Sequence, residues 1–500
     1  MKSGRSRFFS IFFAILVSSG IFFSQPAVFP LKKAAPGQDA ETAITLWNSP
    51  IVRFNLPNGI PVYFQRDETS AVTYLQILIH GGKGDDPAEQ KGVSYLTTRL
   101  TLEIPDQATL RRIMGQSTRM LMISNADHSL ISVASLSANL EEAFKVISEI
   151  LFHPLINNIR IERNVDLMDY LREKEADDAV QTAFVVQTQN LFGNAPFAGS
   201  IYGTKETVKS LNRKNIEDFF KSHFIKENLE FVVCSDLDVK EVTDLLEKHF
   251  AEVPEGETDQ MVGPEPSPDF QRSENIVSRV EKDTVQSLVS LAYSLPPASP
   301  ENMARSHLLA CALGKGIGSR MWPLRMEKKL AYNINARLTS MKKAGVLELY
   351  LETEAEKTDT ALEALKNVAQ TLYDEGMAAD ELDMTRTFAK ADFLRRNENK
   401  EIRTRTLASW LALGLDLDFL DGFFTALDAV TVEDMNAFIR DYLKPDSAVS
   451  LIIGPGAEQD QPAMAASMSS IVLGMGLPRT RQPDAVTRIS SSIRTPPNSR

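Results

Sequence analysis

Two side chains that can grip a peptide stand seven residues apart in the second half of the chain. Arg325 offers a permanently charged guanidinium with five N–H donors, and Tyr332 offers a phenol that donates or accepts. Such groups can hold a peptide carbonyl or stabilise an oxyanion. Seven residues is about two helical turns, so both side chains lie on one side if the helix after Arg325 continues. The plainer alternative is a surface arginine and a half-buried core tyrosine.

Three glycines alternate with larger residues just before this pair, at Gly314, Gly316 and Gly318. Glycine lets the backbone pass close to another segment because it carries no Cβ. The pattern fits a loop that contacts substrate, and it fits a simple turn between two helices nearly as well. The spacing leaves both interpretations open.

Composition excludes several classes of protein. The net charge of −12 argues against a nucleic-acid partner, and an acidic surface favours basic or neutral peptides. The 500 residues, 43% of them hydrophobic, suffice for two large domains or three smaller ones. Cys234 and Cys311 each sit in an apolar run, which predicts buried free thiols rather than a disulfide framework or a thiolate metal site.

The N-terminus has the pattern of an export signal. Lys2, Arg5 and Arg7 precede an almost continuous apolar run from Phe8 to Phe23. The run is short for a membrane span, which needs about 20 apolar residues. Residues 1–30 are therefore predicted to be a signal peptide or a retained N-terminal anchor. We expect an exported protein, periplasmic or held on the outer side of the inner membrane.

Strands and helices alternate after this segment. Ile51–Leu56 and Ile60–Gln65 flank Asn58-Gly59, a hairpin signal, and Val72–His80 reads as a strand covered on both faces. A helix is expected from about Gly92. Further elements are a strand at 130–136, a helix at 159–175, and a helix whose start resembles a capping box between Asn139 and Glu142.

The chain repeats itself at nearly one offset. The helix pattern that starts at Leu211 returns at Val430, and 430 − 211 = 219 residues. The helix ending at Leu151 matches one ending at Leu372, and 372 − 151 = 221. Such repetition predicts an α/β (α+β) fold of two homologous halves. The predicted domains are 45–255 and 276–456, joined by a linker at 256–275 and followed by a disordered tail at 457–500.

Taken in order, the motifs resemble the insulinase, pitrilysin and mitochondrial processing peptidase family of inverted-motif zinc peptidases. The resemblance covers about Ile51 to Pro455 and implies that each half is a mainly antiparallel sheet packed with helices. It is carried by Phe54-Asn-Leu-Pro-Asn-Gly-Ile60, His80-Gly81-Gly82, Lys91-Gly92-Val93, Leu191–Phe197, Ile201–Glu206 and the segment from Gly314 through Arg325 to Tyr332.

The chain departs from this family where the metal should bind. Catalytic members carry His-x-x-Glu-His on the helix after the glycine, and those places hold Tyr95, Thr98 and Arg99 here. A phenol, a hydroxyl and a cation cannot replace two imidazoles and a general base. The family's third ligand falls near Met168 or Asp169, with Glu162 one heptad earlier; Glu162 and Asp169 are then most simply a solvated or salt-bridged helix face.

No other metal or nucleophile motif replaces the missing one. No two of the six histidines lie at helical ligand spacing, and no Gly-x-Ser-x-Gly elbow is present. The resemblance implies a non-catalytic subunit of a zinc metalloendopeptidase pair. The partner chain would carry the zinc, while Arg325, Tyr332 and the three glycines contact the substrate. The alternatives are a scaffold or peptide-binding protein of the same fold and, less simply, a self-sufficient peptidase. Whether the pair would be a homodimer or a heterodimer stays open.

Overall fold

The computed structural model describes residues 49–257 and 276–455. The predicted export segment, most of the predicted linker and the predicted tail lie outside these residues. Within the described ranges, no helix combines the length and the apolar character that crossing a membrane requires.

The first half is a six-stranded sheet with eight helices. The order β1-β2-β6-β3-β5-β4 is antiparallel except between β2 and β6. The strands are β1 Ile51–Asn55, β2 Pro61–Arg66, β3 Val72–His80, β4 Arg119–Ser124, β5 His128–Leu136 and β6 Leu229–Ser235. The helices are α1 Val93–Thr101, α2 Gln107–Gly115, α3 Leu140–Phe152, α4 Asn158–Asp177, α5 Ala179–Phe192, α6 Lys205–Ser210, α7 Arg213–His223 and α8 Val239–Phe250. Helices α3 and α8 cover one face of this sheet with apolar side chains.

The second half repeats this plan with five strands and seven helices. The order β7-β11-β8-β10-β9 is antiparallel except between β7 and β11. The strands are β7 Ile276–Glu281, β8 Gln286–Leu295, β9 Ile334–Ser340, β10 Gly345–Glu354 and β11 Val449–Gly454. The helices are α9 Pro300–Gly314, α10 Trp322–Met326, α11 Thr358–Glu375, α12 Ala379–Arg396, α13 Lys400–Ala412, α14 Leu417–Ala429 and α15 Val432–Tyr442.

The repeat inferred from the sequence is present in the structure. Helices α7 and α15 both have 11 residues, and they begin 432 − 213 = 219 residues apart. Each leads into a strand, β6 or β11, that runs parallel to one neighbour and antiparallel to the other. The expected fold of two similar halves, each with a mainly antiparallel sheet, is confirmed.

The capping box predicted at the start of α3 does not form. Asn139 precedes α3 as expected, but its side chain makes no capping hydrogen bond. Its amide instead faces the Gln116 carbonyl at 3.4 Å. Glu142 instead accepts from the Arg112 guanidinium at 2.6 Å.

Each half covers its sheet with a helix from the other half. Helix α13 lies on the sheet of the first half, where Gln76 Nε2 donates to Thr404 Oγ1 at 3.0 Å. Helix α5 lies on the sheet of the second half, where Gln187 Nε2 donates to Ser290 Oγ at 3.0 Å. The equivalent helices thus make equivalent buried polar contacts. Each contact pairs the buried amide nitrogen of a glutamine across the two halves, while the amide oxygen of that glutamine has no hydrogen-bond partner among the described residues.

A buried ion pair strengthens the α13 contact. Arg403 pairs with Asp67, and both side chains are almost fully shielded from solvent. Arg403 Nε also donates to Gln65 Oε1 at 2.7 Å. Burial raises the pKa of the Asp67 carboxyl, but hydrogen bonds from Thr69 and Arg403 outweigh it and bring the pKa to about 2. Asp67 is therefore ionised at neutral pH and locks the two halves together.

Candidate functional site

Helix α1, which carries the three positions of the missing zinc motif, is anchored at its start by a buried carboxylate. Asp86 accepts from the backbone N–H of Gly92 at 2.6 Å and from that of Ser94 at 3.0 Å. Burial raises the pKa of Asp86 to about 7, while the Gly92 N–H works in the opposite direction. Gly92 is left-handed, with φ 96°, and a Cβ there would crowd Met168 and Val208. The glycine is therefore required by the geometry of the helix start.

Tyr95 occupies its position with an aromatic contact. Its ring meets the Tyr202 ring edge to face, with centroids 4.9 Å apart. Burial raises the pKa of Tyr95, against the pull of Arg99, and it raises the pKa of Tyr202 to about 12. Both phenols therefore stay protonated near neutral pH and form a neutral, packed pair where the family's first imidazole would stand.

The next two positions are equally unsuited to a metal. Thr98 is buried, and its hydroxyl donates to the Ser94 carbonyl at 2.9 Å. Arg99 is half-buried and brings a permanent positive charge. On α4, Met168 is fully buried, Asp169 pairs with Arg172, and Glu162 is exposed.

These residues do not fit zinc. A guanidinium offers no lone pair to the cation, a neutral threonine hydroxyl is not among the usual zinc ligands, and Asp169 is neutralised by its neighbour. Within residues 49–257 and 276–455, no group of three or more His, Cys, Asp or Glu side chains is placed to hold a metal ion. The interpretation of Asp169 as part of a salt-bridged helix face agrees with its contact to Arg172.

Arg325 and Tyr332 come together, although not along a helix. The guanidinium carbon of Arg325 lies over the Tyr332 ring, 4.5 Å from its centroid, and over the Trp322 ring, 5.1 Å from its centroid. Helix α10 ends at Met326, so the expected two-turn helical alignment was wrong. Tyr332 is 80% exposed, which rules out the half-buried core tyrosine.

A left-handed residue returns the chain toward Arg325. Lys329 has φ 49°, a conformation that costs a residue with a Cβ about 1 kcal/mol or more. The reversal lets Leu330 N donate to the Leu324 carbonyl at 2.9 Å, and Thr353 Oγ1 holds the Leu330 carbonyl at 2.7 Å. Two hydrogen bonds to Leu330 thus place Tyr332 beside Arg325 instead of two helical turns beyond it.

The glycine segment has mixed roles. A Cβ at Gly314 would lie 2.5 Å from the Ala336 backbone nitrogen, and one at Gly316, where φ is 85°, would lie 2.4 Å from the Phe388 ring. These two glycines allow close packing of the turn after α9. Gly318 has open space around its Cβ position. Packing thus explains Gly314 and Gly316 without a ligand, while a substrate contact stays a prediction for all three.

The two candidate regions are not joined by polar contacts. In the described part of the chain, no hydrogen bond or ion pair links Arg325 or Tyr332 to Tyr95, Thr98 or Arg99. Among the described residues, Arg325 lies over the rings of Trp322 and Tyr332 only. No role was predicted for Trp322 from the sequence, although a tryptophan three residues before an arginine on one helix is a recognisable signal for stacking.

A polar contact between the halves was also missed. Asp127, in the turn before β5, accepts from the backbone N–H of Lys342 at 3.2 Å, and Lys342 lies in the turn between β9 and β10. Burial raises the pKa of Asp127 to about 6, although the Lys342 N–H lowers it. No signal for this contact is visible in the sequence, because two residues 215 positions apart leave no local pattern.

The fold and this site define a class: a duplicated metallopeptidase-like protein whose metal ligands are replaced. The chain matches the model described as Insulinase (Peptidase family M16) over residues 62–205 and the model described as Peptidase M16 inactive domain over residues 210–388. The chain belongs to this insulinase family. With its zinc-ligand positions filled by other chemistry, it is an inactive homologue rather than a peptidase.

Three similar proteins illustrate the range of relatives. The "Non-peptidase homolog YmxG" of Helicobacter pylori is 23% identical over 389 residues, covering 76% of this chain and 88% of that protein. A "Probable mitochondrial-processing peptidase subunit beta" of Arabidopsis thaliana is 22% identical, covering 66% of this chain and 64% of that protein. The crystal structure of a peptidase M16 inactive domain from Pseudomonas fluorescens has a TM-score of 0.71 at 21% identity and covers 82% of this chain and 99% of that one.

Proposed function

We propose that this protein is the non-catalytic, substrate-binding subunit of a heterodimeric zinc metalloendopeptidase. The observation that carries the proposal is the Arg325–Tyr332 pair. The guanidinium carbon of Arg325 lies 4.5 Å from the centroid of the Tyr332 ring, and Tyr332 is 80% exposed. Neither side chain forms a hydrogen bond or ion pair within the described residues. A polar pair that is ordered but unused is suited to a ligand from outside the chain.

In this proposal the work is divided between two chains. The partner, a homologue that carries His-x-x-Glu-His, supplies zinc and the general base that activates water. Arg325 donates to the bound substrate near the scissile bond, and the Tyr332 hydroxyl adds a second contact. Contacts made to the transition state by either chain raise turnover, because catalysis depends on differential binding.

The proposed place of action is outside the cytoplasmic membrane. Lys2, Arg5 and Arg7 followed by the apolar run support export, to the periplasm or to the outer side of the inner membrane. Sequencing of the mature N-terminus would show whether the segment is cleaved or kept as a tether.

A scaffold or peptide-binding role in an envelope complex is the second candidate. It is favoured by the buried polar contacts and ion pairs that lock the two halves, since a rigid body serves assembly as well as it serves substrate binding. Affinity purification from native envelopes separates the two. A co-purifying homologue with the zinc motif supports the peptidase pair, and assemblies without any zinc peptidase support the scaffold.

The decisive experiment is kinetic. In the assembled pair, Arg325→Ala should lower turnover about 10²-fold, as the loss of one oxyanion donor does. Arg440→Ala, which removes an exposed arginine on α15, is the matched control and should leave turnover unchanged. Unchanged peptidase activity in the Arg325 variant would refute the shared site. A chain that pairs only with copies of itself would refute the heterodimer.

A further inference from the structure

The chemistry available at Arg325 is restricted by its two aromatic neighbours. The guanidinium lies over the rings of Trp322 and Tyr332, with the carbon 5.1 Å and 4.5 Å from their centroids. Stacking engages the flat faces of a guanidinium and leaves the N–H groups at its edge. Arg325 therefore lies against two aromatic rings, while its N–H groups form no hydrogen bond within residues 49–257 and 276–455.

A second arginine in the same segment, Arg320, has its charge neutralised by a carboxylate. Arg320 binds Glu381 with two nitrogens, Nε and Nη2, each 2.7 Å from a carboxylate oxygen. Arg325, five residues later, has no carboxylate partner among residues 49–257 and 276–455. The chain thus supplies an internal carboxylate to one guanidinium and none to the other.

Basic residues outnumber acidic ones in the turn that follows Arg325. Lys328 and Lys329 are exposed, and neither forms an ion pair within the described ranges. Glu327 is the one acidic residue between Arg325 and Tyr332. Along the chain, three cations stand against one anion in this turn, although strand β10, which bonds to it through Thr353 and Glu352, also carries acidic residues. The three cations attract anions, although the overall charge favours basic or neutral peptides.

We infer that the edge of the Arg325 guanidinium binds a carboxylate of a peptide ligand and that Trp322 is a positioning residue for it. The inference rests on the proposed function and specifies the ligand of that site. A planar carboxylate accepts two parallel N–H bonds from a guanidinium, whereas a peptide carbonyl offers one neutral oxygen. The carboxylate belongs to an acidic side chain or to a free C-terminus.

Direct binding to the purified full-length chain tests this inference. Three fluorescent peptides of one sequence would be compared by anisotropy: an amidated peptide with Gln, the same peptide with Glu, and the Gln peptide with a free C-terminus. We expect at least one carboxylate peptide to bind about tenfold more tightly than the amidated Gln peptide, and less tightly at high salt. The peptide that gains affinity identifies the source of the carboxylate.

Variants assign the preference to named side chains. Arg325→Ala should abolish the carboxylate preference, and Arg325→Lys should reduce it because an ammonium lacks the planar fork. Trp322→Phe should retain most of the preference and Trp322→Ala should lose it, with unchanged circular dichroism in both. Arg440→Ala is the control and should match the wild type. Equal affinity for all three peptides, or no measurable binding of any of them, overturns the inference, and a Trp322→Ala variant that keeps the preference overturns the positioning role.

Failure of this inference and failure of the proposed function give different results. If Arg325→Ala lowers turnover of a neutral peptide in the assembled pair but the isolated chain shows no carboxylate preference, the shared site stands and its carboxylate specificity falls. If the preference is found and turnover is unaffected, the chain is a carboxylate-recognising binding protein and the shared catalytic site falls.

Discussion

The guanidinium carbon of Arg325 lies 4.5 Å from the centroid of the Tyr332 ring, although the helix that carries Arg325 ends one residue later. The two meet because the backbone reverses at Lys329. Their association is therefore a property of a turn rather than of helical spacing.

The left-handed residue should respond to substitution in a characteristic way. Lys329→Gly should keep or raise the free energy of unfolding, by up to about 1 kcal/mol, because glycine adopts positive φ without strain. Lys329→Val should lower it by about 1–2 kcal/mol and weaken the Arg325–Tyr332 contact. Thermal unfolding measures the first effect, and the ring-current shift of the Arg325 side-chain protons measures the second.

Lys328→Gly is the control for this pair, since Lys328 has no positive φ. It should lower stability by a few tenths to about 1 kcal/mol through the entropy of the unfolded chain. A stabilising Lys328→Gly or a destabilising Lys329→Gly would contradict the assignment of strain to Lys329.

The buried ion pair between the halves should be costly to break. Arg403→Ala removes one of the two cations beside the shielded Asp67 carboxylate, leaving Lys400 at 3.6 Å, and should lower the free energy of unfolding by up to about 3–5 kcal/mol. The double variant with Asp67→Asn should lose less than the sum of the two single losses, because the contact between Arg403 and Asp67 can be broken only once. Denaturant unfolding monitored by far-UV circular dichroism gives the comparison. Losses that simply add in the double variant would mean that the two residues are not coupled.

Asp127 should make stability depend on pH in a known direction. Its folded-state pKa of about 6 exceeds the ordinary value of 3.8, so the folded carboxyl holds its proton more tightly than the unfolded one. Titration of Asp127 alone should therefore lower the free energy of unfolding by at most about 3 kcal/mol as pH rises from about 4 to about 6, and Asp86 should add a fall of the same sign. Asp127→Asn removes the Asp127 part of this fall while its amide oxygen still accepts from Lys342.

The exposed Asp283 provides the comparison, because Asp283→Asn should leave the pH profile of the wild type unchanged. Melting temperatures at half-unit steps between pH 4 and pH 7 would resolve the difference. Identical profiles for the wild type and Asp127→Asn would show that this carboxyl is not responsible for the pH dependence.

Chelation should have no effect on the isolated protein. Tyr95, Thr98 and Arg99 offer no ligand set for zinc, so treatment with a chelator should shift the melting temperature by less than about 1 °C. Elemental analysis of the same preparation should find far less than one zinc per chain. One tightly held zinc, together with chelator-sensitive cleavage of peptides by the isolated chain, would restore the self-sufficient peptidase.

Several features were readable from the sequence because their signals are local. Asn58-Gly59 marks a tight turn whatever lies around it, and a helix repeated after 219 residues marks a duplicated fold. The substitution of the zinc ligands is likewise visible in three letters. Asn139 shows the limit of such patterns. The spacing predicts a capping box there, but Glu142 accepts from Arg112, which lies 30 residues earlier in the chain.

The amino-acid sequence by itself determined the two similar halves, the loss of the metal ligands and the candidacy of Arg325 and Tyr332. These follow from residue types and short spacings, which the chain carries in any conformation. Only the tertiary structure decided that Trp322 joins the pair, that the backbone reverses at Lys329, and that α5 and α13 each pack on the sheet of the opposite half. Those relations depend on backbone reversal and on contacts between distant segments, which no local pattern encodes.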